Sequence, residues 1–148
     1  MSAAETGHLV LSTLHSSSAP QAVTRILDFF PPESREQARK QMALCLRAII
    51  CQILVPAASG AGVFPAHEIM LNNSTVRKML EENKLDRLGA AVETGREEGM
   101  ITFNQSLLAL CKSGKITEPV ALDFAPNPES LKMNLKGIFL SDDNRILG

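Results

Sequence analysis

The sequence predicts an α/β first half followed by an all-α second half. Up to residue 72, β-rich apolar segments alternate with stretches that carry apolar residues at steps of three and four. From Asn73 onward only helical periodicity continues, and it is divided by capping residues and glycines. With 148 residues, the chain is long enough for one domain with a substantial core, but not for two large domains.

The first predicted elements are a strand and a helix. Residues 8–14 read HLVLSTL, which is β-rich and predicts a short buried strand, although the chain around it supplies no neighbouring strand. Ser18 predicts a helix N-cap, because Pro20 falls in the first turn and Gln21 stands at capping-box spacing. The apolar stripe of this helix runs to residue 30, and two prolines then end it.

A longer helix and a hairpin follow. The apolar spacing predicts a helix over residues 34–51 with Met42 and Cys45 inward and Arg39 on the outer face. The segment Ala-Ser-Gly-Ala-Gly at 58–62 predicts a flexible turn between two strands, one at residues 52–56 and one at 63–71.

Five short helices are predicted in the second half, and a polar tail ends the chain at residues 141–148. Asn73, Thr117 and Asn127 are the expected N-caps of three of these helices, and Gly114 is an expected stop. We therefore divide the chain into an α/β part at 1–72, a helical part at 73–140 and the tail.

The composition argues against several classes of function. Fifteen Lys and Arg against sixteen Asp and Glu give a net charge of -1, which offers no electrostatic support for binding nucleic acid. Six Phe without Trp or Tyr leave few platforms for stacking bases or sugars. Three Cys without a secretory signal indicate reduced thiols. No apolar run approaches the roughly 18 to 20 residues of a membrane helix.

Several catalytic and metal-binding motifs are excluded. A phosphate-binding P-loop is absent, because Gly114-Lys115 is the only Gly-Lys pair and Ile116 stands where Ser or Thr is required. His67-Glu68 begins like a zinc-protease motif, but Leu71 occupies the second His position. The remaining His and Cys residues lack paired ligand spacing, so we expect no metal site.

His15 is the main candidate for chemistry. Polar groups at the carboxyl end of a buried strand are where α/β sheets place ligand contacts, and Thr13, His15 and Ser16 would lie there. His15 is then either a half-buried histidine with a structural partner or a phosphate sensor that hydrogen-bonds a terminal phosphate or the attacking water. His8 is more simply explained as the entry residue of the strand.

An ordered set of segments resembles the type II/type IV secretion ATPases, and in particular the twitching-motility motors that retract type IV pili. The set comprises AAETGHLVLSTLHS at 3–16, Arg25 and the following FFPP, QIL at 52–54, AHEIM at 66–70, VRKML at 76–80, GMITFNQSL at 99–107 and NPESL at 127–131. These segments cover essentially the whole chain and keep the family's order.

The resemblance implies that this chain is the C-terminal part of a RecA-like P-loop ATPase and begins just after Walker B. It implies that His15 is the His-box residue near the γ-phosphate and that His8 and Thr13 support it. Within the segment tied to retraction, the residues that the resemblance assigns are Val76, Arg77 and Leu80. Lys78 stands where the motif has Asn, Met79 and Leu80 replace Leu and Ile, and Ser16 replaces the usual Thr.

The same resemblance implies a function, cofactors and partners. We expect the C-terminal part of a hexameric motor that uses ATP and Mg²⁺, works in the cytoplasm at the inner membrane and meets the type IV pilus platform there. Alone, the chain should be inactive and should bind neither cofactor tightly, because the residues that hold them in the family are absent. Its uncovered strand edges should make it dimerise or assemble further.

Two alternatives stay open. The chain could be a truncated, non-catalytic paralogue that regulates the full-length motor, or an unrelated small α/β binding protein with an accidental similarity.

Overall fold

The computed structural model describes residues 2–138, so the predicted tail at 141–148 lies outside the described residues. Eight α-helices and two β-strands lie within residues 2–138. In chain order they are α1 (Ser2–Glu5), α2 (Ala19–Asp28), α3 (Arg35–Cys45), β1 (Ala48–Pro56), β2 (Val63–Leu71), α4 (Ser74–Glu81), α5 (Leu88–Thr94), α6 (Phe103–Lys112), α7 (Glu118–Phe124) and α8 (Pro128–Leu135).

The architecture is mixed α/β, as predicted, and helices follow the hairpin. β1 and β2 pair as a two-stranded sheet, and Ile69 of β2 also forms an antiparallel bridge with Ile101. Two compact units divide the chain: Met1–Gln52 with His67–Thr102, and Ile53–Ala66 with Phe103–Gly148. Of the described helices, none is long and apolar enough to cross a membrane.

The first unit packs α2, α3, α4 and α5 around an aliphatic core. Val23, Val76, Leu80 and Leu88 are fully buried there, and each lies on the inward stripe of its helix. The predicted cap of α2 is confirmed, since the Ser18 hydroxyl accepts the Gln21 N–H at 3.3 Å.

α3 ends six residues earlier than the sequence predicted. The prediction of a helix to residue 51 was wrong, because Leu46 leaves the helix with ψ at 137° and a strand begins at Ala48. Cys51 and Val55 are the buried residues of β1, and their spacing of four is shared by a helix and by alternate positions of a strand.

The predicted buried strand at residues 8–14 was also wrong. Within the described residues this segment pairs with no strand, and the side chains of Leu9 and Leu11 are 81% and 87% exposed. A strand needs a neighbour for its N–H and C=O groups, and β propensity alone cannot supply one.

The second unit is built from α6, α7, α8 and the tip of the hairpin. Phe103, Leu107, Ala121 and Leu131 form its core. The predicted cap of α8 is confirmed, since the Asn127 side chain accepts the Ser130 N–H at 3.1 Å. Gly114 ends the turn after α6 with φ at +70°, a conformation that glycine adopts without strain.

Candidate functional site

The residues singled out for chemistry lie on an exposed segment at 8–15 that leads into α2. His8, Thr13 and His15 are all exposed. His8 Nδ1 lies 3.0 Å from Thr6 Oγ1, and its backbone N–H donates to Ala3 O at 3.1 Å. Within residues 2–138 the His15 imidazole has no hydrogen-bond partner, so it is available to a ligand.

A cavity of about 360 Å³ lies between this segment and β1. Thr13 lines it from the segment and Ser16 from just after it, and Ile49 and Cys51 line it from the strand. Neither His8 nor His15 lines this cavity, so the structure does not gather the three predicted residues into one pocket.

Residues 16–19, directly after His15, are anchored to the hairpin. The Glu68 carboxylate on β2 accepts the Ala19 N–H at 2.7 Å, and Glu68 is only 8% exposed. On β1, burial and the nearby Glu68 charge raise the pKa of the Cys51 thiol, while a hydrogen bond with Ser16 opposes that rise. Cys51 and Ser16 also line the same cavity.

The predicted retraction residues fall on both faces of α4. Asn73 caps this helix as predicted, accepting the Val76 N–H at 2.9 Å. Val76 and Leu80 are fully buried and hold the helix to the core, whereas Arg77 is exposed. Of the three, Arg77 alone has its side chain in position to meet another molecule.

α3 and α4 cap each other's C-terminal ends. The Asn72 amide, just before α4, donates to the carbonyls of Ala43 and Leu46 at 2.8 and 2.9 Å. In return, the Arg39 guanidinium on α3 donates to the carbonyls of Leu80 and Glu81.

Arg39 therefore corrects a prediction, because it was expected on the outer face of its helix and is only 8% exposed. A buried cation is accommodated there because the C-terminal carbonyls of a helix carry partial negative charge.

Sequence reasoning missed Glu68 and Arg39 as anchoring residues. Glu68 was noticed only as part of a broken zinc motif, and its partner lies 49 residues away along the chain. The Arg39 acceptors lie 41 and 42 residues away, and no local pattern marks a contact of that range.

The donor chemistry of the exposed segment fits a phosphate, and the segment lacks the carboxylate oxygens that Mg²⁺ prefers. An imidazole and hydroxyls can donate hydrogen bonds to phosphate oxygens. In the part of the chain that the structure describes, no three His, Cys, Asp or Glu side chains are placed to share a metal ion. These residues alone therefore do not fit Mg²⁺.

Comparison with known proteins points to one family. The sequence profile of the family described as "Type II/IV secretion system protein" matches residues 1–102. The chain is 40% identical over 131 residues to a twitching motility protein of Neisseria gonorrhoeae, covering 88% of this chain and 35% of the relative. It is 36% identical over 130 residues to the type IV pilus retraction ATPase PilT of Pseudomonas aeruginosa, covering 88% and 38%.

Two solved ATPase structures are also similar to this chain. A crystal structure of the pilus retraction motor PilT with bound ADP superposes with a TM-score of 0.74 at 35% identity, covering 84% of this chain and 34% of that one. The Legionella pneumophila ATPase DotB gives a TM-score of 0.68 at 25% identity, covering 81% and 32%. The chain thus spans a little over a third of the length of the Neisseria gonorrhoeae and Pseudomonas aeruginosa relatives.

Proposed function

This chain belongs to the type II/IV secretion system protein family, and from that premise we propose that it is the C-terminal part of an ATP-driven motor that retracts type IV pili. The observation that carries the proposal is the exposed His15, at the end of a segment that resembles the family's His box. The similarity to a pilus retraction ATPase and to a motor with bound ADP supports it. The division into a RecA-like part at 1–72 and a helical part at 73–140 remains part of this proposal.

His15 is proposed to act on the terminal phosphate of ATP. A ring N–H of the imidazole can donate to a phosphate oxygen, and such a donor stabilises the charge that develops during phosphoryl transfer. ATP supplies the phosphoryl group that is transferred to water. Thr13 and His8 are proposed to support His15 from the same segment.

The nucleotide must also contact residues that the chain does not contain. The sequence has no P-loop Lys, and the described residues hold no cluster of carboxylates for Mg²⁺. Since positioning and charge neutralisation dominate phosphoryl transfer, the isolated chain should not hydrolyse ATP or bind ATP and Mg²⁺ tightly.

Assembly and location are part of the same proposal. A hexamer at the cytoplasmic face of the inner membrane, working on the pilus platform through the exposed Arg77, fits the family assignment. The apolar side chains of Leu9, Leu11 and Ile50 are exposed, and their burial against a second molecule should favour self-association of the isolated chain.

A hybrid motor tests the proposal. All 148 residues would replace the matching segment of the Pseudomonas aeruginosa retraction ATPase, and Mg²⁺-dependent phosphate release would be measured for the hybrid and for the isolated chain. We expect turnover by the hybrid only. Turnover that copurifies with the isolated chain would overturn the proposal, as would a hybrid that assembles but hydrolyses no ATP.

A further inference from the structure

We propose that Glu68 is a positioning residue for the nucleotide site, which anchors the start of α2 and so fixes where the His15 imidazole is presented. This inference rests on the function proposed above for His15. It is built on contacts within the first compact unit.

Glu68 is a buried carboxylate that reaches across from the hairpin to a helix N-terminus. Its Oε1 accepts the Ala19 N–H at 2.7 Å, and Ala19 is fully buried. The N–H groups of a first helical turn lack partners within the helix, and the N-terminal end of a helix favours negative charge. Both effects explain why a carboxylate is tolerated in this buried position.

α2 does not need Glu68 for its own capping. The Ser18 hydroxyl already accepts the Gln21 N–H, and the Gln21 side chain accepts both the N–H and the hydroxyl of Ser17 at 2.7 and 2.9 Å. The Glu68 contact is the long-range one, since it ties this locally closed turn to β2. It therefore determines where the turn sits rather than whether it forms.

The anchored stretch begins immediately after the proposed sensor. Ser16 and Cys51 of β1 line the same cavity, and the Ala19 N–H is hydrogen-bonded to Glu68 of β2, so residues 16–19 lie against both hairpin strands. His15 is one residue before this stretch, on a segment whose side chains are exposed from residue 5 to 15. Because one peptide link separates His15 from Ser16, displacing the anchor displaces the imidazole. A misplacement of about 1 Å can cost on the order of 100-fold in rate.

The first test uses the isolated chain and needs no nucleotide. Amide hydrogen exchange by NMR would be compared for wild type, E68A, E68Q and the control E118A, which removes an exposed carboxylate from the first turn of α7. Loss of a charged hydrogen bond predicts that E68A speeds exchange at Ala19 by about 10- to 100-fold. E68Q should change it far less, because its amide oxygen still accepts, and E118A should leave it unchanged.

The second test separates positioning from a general structural role. In the hybrid motor, kcat would be measured for E68A, H15A and the double variant. We expect E68A to lower kcat at least tenfold when His15 is present and to have little further effect in the H15A background. Multiplicative losses would overturn the inference, as would unchanged Ala19 exchange in the isolated chain.

The two tests distinguish failure of this inference from failure of the function proposed for His15. If H15A leaves kcat of the hybrid unchanged, the function proposed for His15 fails, whatever the exchange data show. If E68A does not fold, E68D answers the same questions, because its shorter side chain withdraws the carboxylate from Ala19.

Discussion

Replacing Arg39 with Met should strongly destabilise the first unit. Arg39 is 8% exposed, and its guanidinium donates to the carbonyls of Leu80 and, at 2.6 Å, of Glu81. Methionine fills much of the same space but donates nothing, so the end of α4 loses both hydrogen bonds.

The size of the effect follows from these contacts. A hydrogen bond that involves a charged group contributes about 1.5–3 kcal/mol. The Leu80 carbonyl still accepts the Asn83 N–H at 3.3 Å, so the loss of hydrogen bonding at this carbonyl is partial. We therefore expect the free energy of unfolding to fall by about 3 kcal/mol, which corresponds to a decrease in Tm of about 6–12 °C for a chain of this size.

Far-UV circular dichroism in urea is the appropriate assay, since the chain has neither Trp nor Tyr to report by fluorescence. Lys40→Met is the matched control, because Lys40 is the next residue on α3 and its side chain is 60% exposed in an ion pair with Glu36. The control midpoint should stay within experimental error of wild type. Equal midpoint shifts for the two variants would refute the role assigned to Arg39.

Two further predictions concern packing and thiol chemistry. Gly95→Ala should destabilise the chain by about 1–3 kcal/mol, because an added Cβ would lie 2.1 Å from Cε and 3.3 Å from Cβ of the buried Met100. At Gly89 an added Cβ would have nothing within 4 Å, so Gly89→Ala should instead stabilise α5 by up to about 1 kcal/mol. If the urea midpoints of both variants shifted in the same direction, this reasoning would be refuted. At pH 8, iodoacetamide should modify Cys51 more slowly than Cys45, because burial raises the pKa of the Cys51 thiol; equal rates by mass spectrometry would contradict the environment assigned to Cys51.

Local signals predicted the starts of α2, α4 and α8. The caps at Ser18, Asn73 and Asn127 were recognisable because each acts on an N–H only three residues ahead. The hairpin turn was recognisable from its glycines, and Gly60 and Gly62 indeed adopt positive φ. Such features depend on a few neighbouring residues, which a sequence shows directly.

Features that depend on distant partners were not predictable from the sequence alone. The strand at residues 8–14 has the right composition, but no described strand pairs with it. The end of α3 was misplaced because apolar residues four apart suit either period, and the donation from Asn72 to the last carbonyls of α3 comes from beyond β2. For the same reason, Glu68 and Arg39 could not be recognised as anchors.

The identity of the candidate site residues stays a prediction, and the structure shows only where they lie. Resemblance selected His15, Thr13 and His8, and the structure places all three on one exposed segment without bringing them into a shared pocket. Their grouping around a phosphate remains a prediction.

The central claim is that His15 acts on the terminal phosphate of ATP, and the most direct test is the kcat of the hybrid motor carrying His15→Ala. His67→Ala is the control, since that imidazole lies 3.1 Å from Gln52 on the hairpin and has no role in the proposed reaction. Loss of one preorganised donor to the transition state predicts a decrease in kcat of about 100-fold or more, with a smaller change in KM. An assembled hybrid in which His15→Ala and His67→Ala both keep the parent kcat would contradict the claim.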